Sequence, residues 1–173
     1  IGGDVINSGT INLGTGTISN YAEGSVINNA GATLTAGTIY NYTSATSENN
    51  GTMIANYINN YGTFTSSNVI SGLSNIYNSS SFTNTGDIIY KATSSASIYL
   101  NSGNFINSGT IDMTASTNYA DIYISNGARL ENQADGKILG NTTGSYLSNY
   151  GTLVNDGYIR VANGIQNNGD SSV

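Results

Sequence analysis

Apolar residues two positions apart recur along the chain, in pairs such as Ile11/Leu13, Ile98/Leu100, Ile111/Met113, Ile122/Ile124 and Ile159/Val161. Period-two alternation turns one side of a strand toward an apolar interior, whereas a helix would repeat its apolar positions three and four apart. Glycine recurs at short intervals throughout, and each would cost a helix interior about 1 kcal/mol. The pattern predicts short strands joined by Gly- and Asn-containing turns.

A longer period overlies this alternation. The stretch Asn101-Ser-Gly-Asn-Phe105-Ile-Asn107-Ser-Gly109-Thr-Ile111 aligns with Asn149-Tyr-Gly-Thr-Leu153-Val-Asn155-Asp-Gly157-Tyr-Ile159 and with Asn78-Ser-Ser-Ser-Phe82-Thr-Asn84-Thr-Gly86-Asp-Ile88. With a two-residue insertion, Asn126, Leu130, Asn132, Gly136 and Ile138 form a fourth copy, and looser copies begin at Asn7, Asn29 and Asn60. The leading Asn recurs at intervals of roughly 18 to 31 residues, mostly near 22, a length that fits one rung of three short strands. Stacking such rungs about 4.8 Å apart pairs each strand in parallel with its neighbours. The expectation is therefore all-β, a parallel β-solenoid (β-helix) of about seven rungs of roughly 22 residues, forming a single domain over 1–173 and a rod on the order of 35 Å long. The longest interval suggests a loop insertion near 43–50.

Composition then narrows the chemistry. The chain has no Pro, Cys, Trp or His, and only 8% of its residues are charged. Without Cys there is no disulfide or thiolate site, and without His the commonest metal ligand and general base are missing. The net charge of −6 leaves no basic footprint for nucleic acid. No run approaches the roughly 18 apolar residues of a membrane helix. Disorder is disfavoured by 13 Tyr and a 38% hydrophobic content. Stacked rungs also explain the low charge: a repeated charge would form a like-charge column, whereas Asn, Thr, Ser and Tyr stack without repulsion.

Identical amides one rung apart can bond to each other as a ladder, and Asn accepts turn conformations. Asn7, Asn29, Asn60, Asn78, Asn101, Asn126 and Asn149 are accordingly expected to be structural. Tyr77, Tyr99, Tyr123 and Tyr146 are separated by 22, 24 and 23 residues, one rung each, and are expected to project outward as an aromatic column. Such a column suits lateral packing of rods or stacking against sugars, although Tyr also favours strands for its own sake.

Runs such as Val5-Ile-Asn-Ser-Gly-Thr-Ile-Asn-Leu13 and Gly103-Asn-Phe-Ile-Asn-Ser-Gly-Thr-Ile-Asp-Met113 resemble the repeats of β-helical bacterial surface proteins, namely filamentous-haemagglutinin-type adhesins and the passenger regions of self-associating autotransporters. The resemblance implies a secreted or cell-surface, non-catalytic protein that acts as a structural or adhesive element. Its expected partners are further copies of itself, end to end or side by side, or cell-surface glycans, with no cofactor, no nucleic acid and no membrane insertion by this segment. Repeat-like sequence at both ends leaves two readings open, a filament subunit or a segment of a longer rod. The Thr-x-Thr pairs Thr15/Thr17, Thr33/Thr35, Thr63/Thr65 and Thr83/Thr85 resemble those of ice-binding solenoids, which makes a ligand-binding solenoid the alternative. The acids are scattered, with Glu131/Asp135 and Asp112/Asp135 the pairs that could converge. Acceptor motifs for N-glycosylation stand at Asn41, Asn50 and Asn141, the last two in expected loops, and at Asn78 within the ladder.

Overall fold

In the computed structural model, which describes residues 3–91 and 95–168, the regular structure of the described residues is entirely β-strand. The strands form an 8-stranded and a 14-stranded sheet, and neighbouring strands pair in parallel with near-unbroken register. The chain therefore winds as a β-solenoid with three flanks per rung. The first flank is the 8-stranded sheet: Asp4–Asn7, Ser25–Asn28, Thr46–Asn49, Thr63–Ser66, Ser81–Asn84, Gly103–Asn107, Ala128–Asn132 and Thr152–Asn155. The second runs from Thr10–Asn12 through Ile70–Leu73, Asp87–Tyr90, Thr110–Asp112 and Lys137–Leu139 to Tyr158–Arg160. The third runs from Thr17–Asn20 through Asn75–Asn78, Ala96–Leu100, Ala120–Ile124 and Ser145–Asn149 to Ile165–Asn167. Two long strands, Thr33–Asn41 and Thr52–Asn60, pass through the corner between the second and third flanks and join them into one sheet.

Eight rungs stack, one more than the sequence period suggests, with successive offsets on the first flank of 21, 21, 17, 18, 23, 25 and 23 residues. The additional rung comes from the segment expected to be a loop insertion near 43–50. Thr46–Asn49 is a strand of the first flank, paired with Ser25–Asn28 on one side and Thr63–Ser66 on the other. Its inward residue is Ser47, where neighbouring rungs have Val26 and Phe64. The polar residue hid the repeat. Ser47 is fully buried, and its hydroxyl donates to Asn41 Oδ1 at 3.0 Å.

Inward side chains superpose rung on rung. The first flank contributes Val26, Ser47, Phe64, Phe82, Phe105 and Leu130; the second, Leu34, Met53, Ile70, Ile88, Ile111 and Ile138; the third, Ile18, Ile39, Ile58, Ile76, Ile98, Ile122 and Leu147. Phe64, Phe82 and Phe105 form a ring stack with centroids 4.7 and 4.6 Å apart and planes within 8° and 5°. That spacing is the interstrand distance of a parallel sheet, so backbone pairing sets the ring geometry. Each buried ring contributes roughly 1.5–3 kcal/mol by leaving water.

Corners bring turns of successive rungs into contact. At Gly103, φ is +71° and a Cβ would drive into the Ser80 carbonyl of the rung below, so both conformation and space demand glycine.

Candidate functional site

Beside the apolar core run two buried amide columns, one per sheet. On the first flank Asn7 Nδ2 donates to Asn28 Oδ1 at 2.9 Å, Asn28 to Asn49 at 2.9 Å, Asn84 to Asn107 at 2.8 Å, Asn107 to Asn132 at 2.8 Å and Asn132 to Asn155 at 2.8 Å. On the third flank Asn20 donates to Asn41 at 2.9 Å, Asn41 to Asn60 at 2.9 Å, Asn60 to Asn78 at 2.7 Å and Asn149 to Asn167 at 2.8 Å. The second amide hydrogen commonly goes to a main-chain carbonyl of the next rung, as from Asn28 to Thr52 and from Asn60 to Ser81. A primary amide has two donors and one acceptor oxygen, so it can pass a bond up the stack and tie a corner at once. Threonine or serine could not do both.

Of the Asn residues expected to be structural, Asn7, Asn60, Asn78 and Asn149 lie in these columns. Asn29, Asn101 and Asn126 do not. Asn29 follows the ladder residue Asn28 and donates to Ser8 Oγ at 2.9 Å near the surface. Asn101 follows the buried Leu100, which occupies the column position above Asn78, and its amide reaches Ser79 Oγ at 3.4 Å. Ile124 occupies the position above Leu100, leaving Asn126 exposed in the next corner. The corner after Leu100 is one residue longer than that after Asn78, which displaces the Asn from the column while preserving its distance to the following Phe. Ladder members outside the expected set are Asn20, Asn28, Asn41 and Asn49, together with Asn84, Asn107 and Asn132, the second Asn of the aligned repeat, each at 0% exposure.

Two of the three glycosylation candidates are corrected by the same geometry. Asn41 is fully buried and its amide donates to Asn60 and to the Thr63 carbonyl, while Asn141 is 3% exposed and donates to the Ser116 and Asn118 carbonyls. Asn50 is half-buried; its amide donates to Glu48 Oε1 at 2.5 Å and its Oδ1 accepts from Ser67. Asn78, like Asn41, is fully buried.

The outer surface carries tyrosines. Tyr77, Tyr99 and Tyr123 follow inward Ile residues and stand in register on the third flank. Tyr146 leaves that column: it precedes the inward Leu147, so it stands above Asp121, and Ser148 stands above Tyr123. A second set arises from the corner after the third-flank amide ladder, at Asn20-Tyr21, Asn41-Tyr42 and Asn60-Tyr61. Tyr21 and Tyr42 stack at 4.8 Å and 11°, Tyr42 and Tyr61 at 6.4 Å and 21°, and Tyr40 joins Tyr42 at 5.8 Å. Tyr21 and Tyr61 are exposed, and Tyr42 between them is half-buried. The repeated Asn-Tyr dipeptide was the available sequence signal.

Farther along the third flank the ring column divides. Tyr99 stacks on Tyr77 at 4.9 Å and 10°, whereas Tyr123 tilts toward Tyr150 at 5.1 Å and 38°. An open groove of about 350 Å³ lies there, lined by Tyr99, Asp121, Tyr123, Tyr146, Ser148 and Gln166 with Ile122. Asp121 Oδ1 is buried without a hydrogen-bond partner. Burial raises the Asp121 carboxyl from its ordinary value, and a backbone hydrogen bond from Tyr146 opposes this.

The Thr-x-Thr pairs do not converge on one face. Thr33/Thr35 lie on the second flank and Thr63/Thr65 on the first, while Thr15 and Thr85 fall in corners. Among the acids, Glu131 is held by Arg129 at 2.8 Å and by Gln133 at 3.0 Å on the first flank, and Asp112 accepts from Thr114 in its own turn on the second. Among the described residues no group of three or more Asp or Glu side chains is placed to hold a metal ion.

No family model matches the chain, and neither a curated protein nor a solved structure matches it. The fold is that of a β-solenoid repeat protein.

Proposed function

We propose that the chain is a non-catalytic structural and adhesive rod of an extracellular surface or matrix, working by side-by-side self-association. The observation that carries this reading is the Tyr21–Tyr42–Tyr61 stack, exposed at Tyr21 and Tyr61 and joined by Tyr40. Contiguous exposed aromatic surface marks association sites on otherwise polar proteins, and Tyr supplies large contact area with a hydroxyl that tolerates water before association. The rings are already held parallel by strand register, so little side-chain freedom remains to be lost when a second rod packs against them. A second copy is the partner that best fits, because a rung-spaced row of rings meets a matching row along its whole length. The low charge keeps like-charge repulsion between copies small.

The chain has no cysteine, which permits a clean test. Tyr61→Cys should give disulfide-linked dimers under mild oxidation, while Thr152→Cys, exposed on the first flank, should remain monomeric. Equal linking of both, or of neither, contradicts the reading.

A further inference from the structure

We propose that the groove between Tyr99, Tyr123 and Tyr146 is a binding site for a neutral pyranose unit of an oligosaccharide. The site is separate from the Tyr21–Tyr42–Tyr61 face and does not depend on self-association. A pyranose offers an apolar C–H face and a rim of hydroxyls, and needs an aromatic surface beside acceptors and donors in one open cleft. This groove supplies both. Tyr99 is held flat against Tyr77, Tyr123 leans away toward Tyr150, and the open groove beside them holds about 350 Å³, within the roughly 300–1,000 Å³ range of small-ligand sites. Asp121 lines the same groove, and its carboxylate supplies acceptor lone pairs for sugar hydroxyls beside the rings. Ser148 and Gln166 add a hydroxyl and an amide, which can donate to ring and hydroxyl oxygens.

The charge distribution selects among ligands. Among the described residues Asp121 is the one charged residue lining the groove, so sulfated or carboxylated sugars are repelled and neutral ones are not. An organic ammonium ion would also answer an aspartate among rings, but it would leave Ser148 and Gln166 with no part in recognition. Tyr99, Tyr123 and Asp121 occupy adjacent, outward positions on neighbouring rungs because Ile98 and Ile122 face inward. The solenoid register thus builds the site without a loop.

The test is calorimetric titration of the full chain with cellotetraose, chitotetraose and maltotetraose, and with tetramethylammonium chloride as the cationic probe. At least one tetrasaccharide should bind with a Kd below about 10 mM. Asp121→Ala should weaken it at least about tenfold and Tyr123→Ala at least about fivefold, while Thr152→Ala, exposed on the first flank, leaves it unchanged. Asp121→Asn, which keeps an acceptor oxygen and the side-chain shape, should retain more affinity than Asp121→Ala. Melting curves matching the parent chain establish that the variants fold, and Tyr146→Ala gives a second reading if Tyr123→Ala does not. Absence of binding by all three saccharides, binding that survives both Asp121→Ala and Tyr123→Ala, or tighter binding of tetramethylammonium than of any saccharide overturns the proposal.

Discussion

Ser66 stands in register directly below Asn84 on the first flank, and Asn84 Oδ1 is buried with no donor. Every other step of this column from Asn7 to Asn155 joins one Asn to the next, apart from the two that involve Ser66. The serine hydroxyl accepts from Asn49 at 3.2 Å but donates sideways to the Asn68 carbonyl, so nothing passes up to Asn84. Ser66→Asn should restore the missing donor and stabilise the fold by about 1 kcal/mol, the net worth of a buried hydrogen bond. Urea unfolding checks this; a loss of stability would mean the Asn68 corner cannot accommodate the larger side chain.

Charge in the ladder should be far worse than a gap. Asn28 is fully buried and donates to both Asn49 Oδ1 and the Thr52 carbonyl. Asn28→Ala should cost about 2–4 kcal/mol, independent of pH. In Asn28→Asp two acceptors would face a carboxylate, so burial and repulsion would raise its folded pKa above the unfolded value. The proton is then bound more tightly in the fold, and stability present below the unfolded carboxyl range is lost as pH rises through it. Thermal melts at pH 3 and pH 7 should place the Asp variant near the Ala variant in acid and well below it at neutrality. Equal losses at both pH values would count against the ladder as drawn.

Tyr90 contributes an alkaline dependence to the fold. It is fully buried, and its hydroxyl donates to the Ser97 carbonyl at 3.2 Å. Burial holds its pKa well above the ordinary tyrosine value. The neutral phenol is favoured in the fold, so its contribution is complete below about pH 10 and declines as pH rises beyond it, where the unfolded chain ionises. Tyr90→Phe should cost about 1 kcal/mol at pH 7 but lose less than the parent on moving to pH 11. An identical alkaline decline in both proteins would assign the effect elsewhere.

Ser47 interrupts the apolar column between Val26 and Phe64. Asn41 Oδ1, the acceptor for its hydroxyl, also receives the Asn20 amide. Ser47→Val therefore leaves no acceptor orphaned, and should stabilise the fold by roughly 1 kcal/mol through apolar burial. Denaturant midpoints for the two proteins decide the sign.

The solenoid was legible because each rung writes its inward residues into the same place: Ile76, Ile98 and Ile122, or Phe82 and Phe105, recur by necessity of stacking. What escaped was whatever broke the column. The rung at Thr46–Asn49 has Ser47 at its core position and a 17-residue offset to the next rung, so neither its composition nor its length announced it. The Asn ladder is only partly legible: at Asn28-Asn29 two Asn stand side by side and only the first turns inward, while Leu100 and Ile124 take the column position and leave Asn101 and Asn126 outside it. Tyr146 kept the rung spacing yet sat on the opposite side of its inward neighbour. Asp121 left no periodic trace, since it occurs once; its meaning depends on rings from three different rungs, which only the register assembles.

The central claim is that a tyrosine face joins rods side by side, and sedimentation velocity tests it most directly. The parent chain should sediment as dimers and larger species whose share grows with concentration. Tyr21→Ser/Tyr42→Ser/Tyr61→Ser, checked by its melting curve to be folded, should remain a monomer over the same range. A parent chain that stays monomeric, or a triple variant that associates as before, would contradict the account.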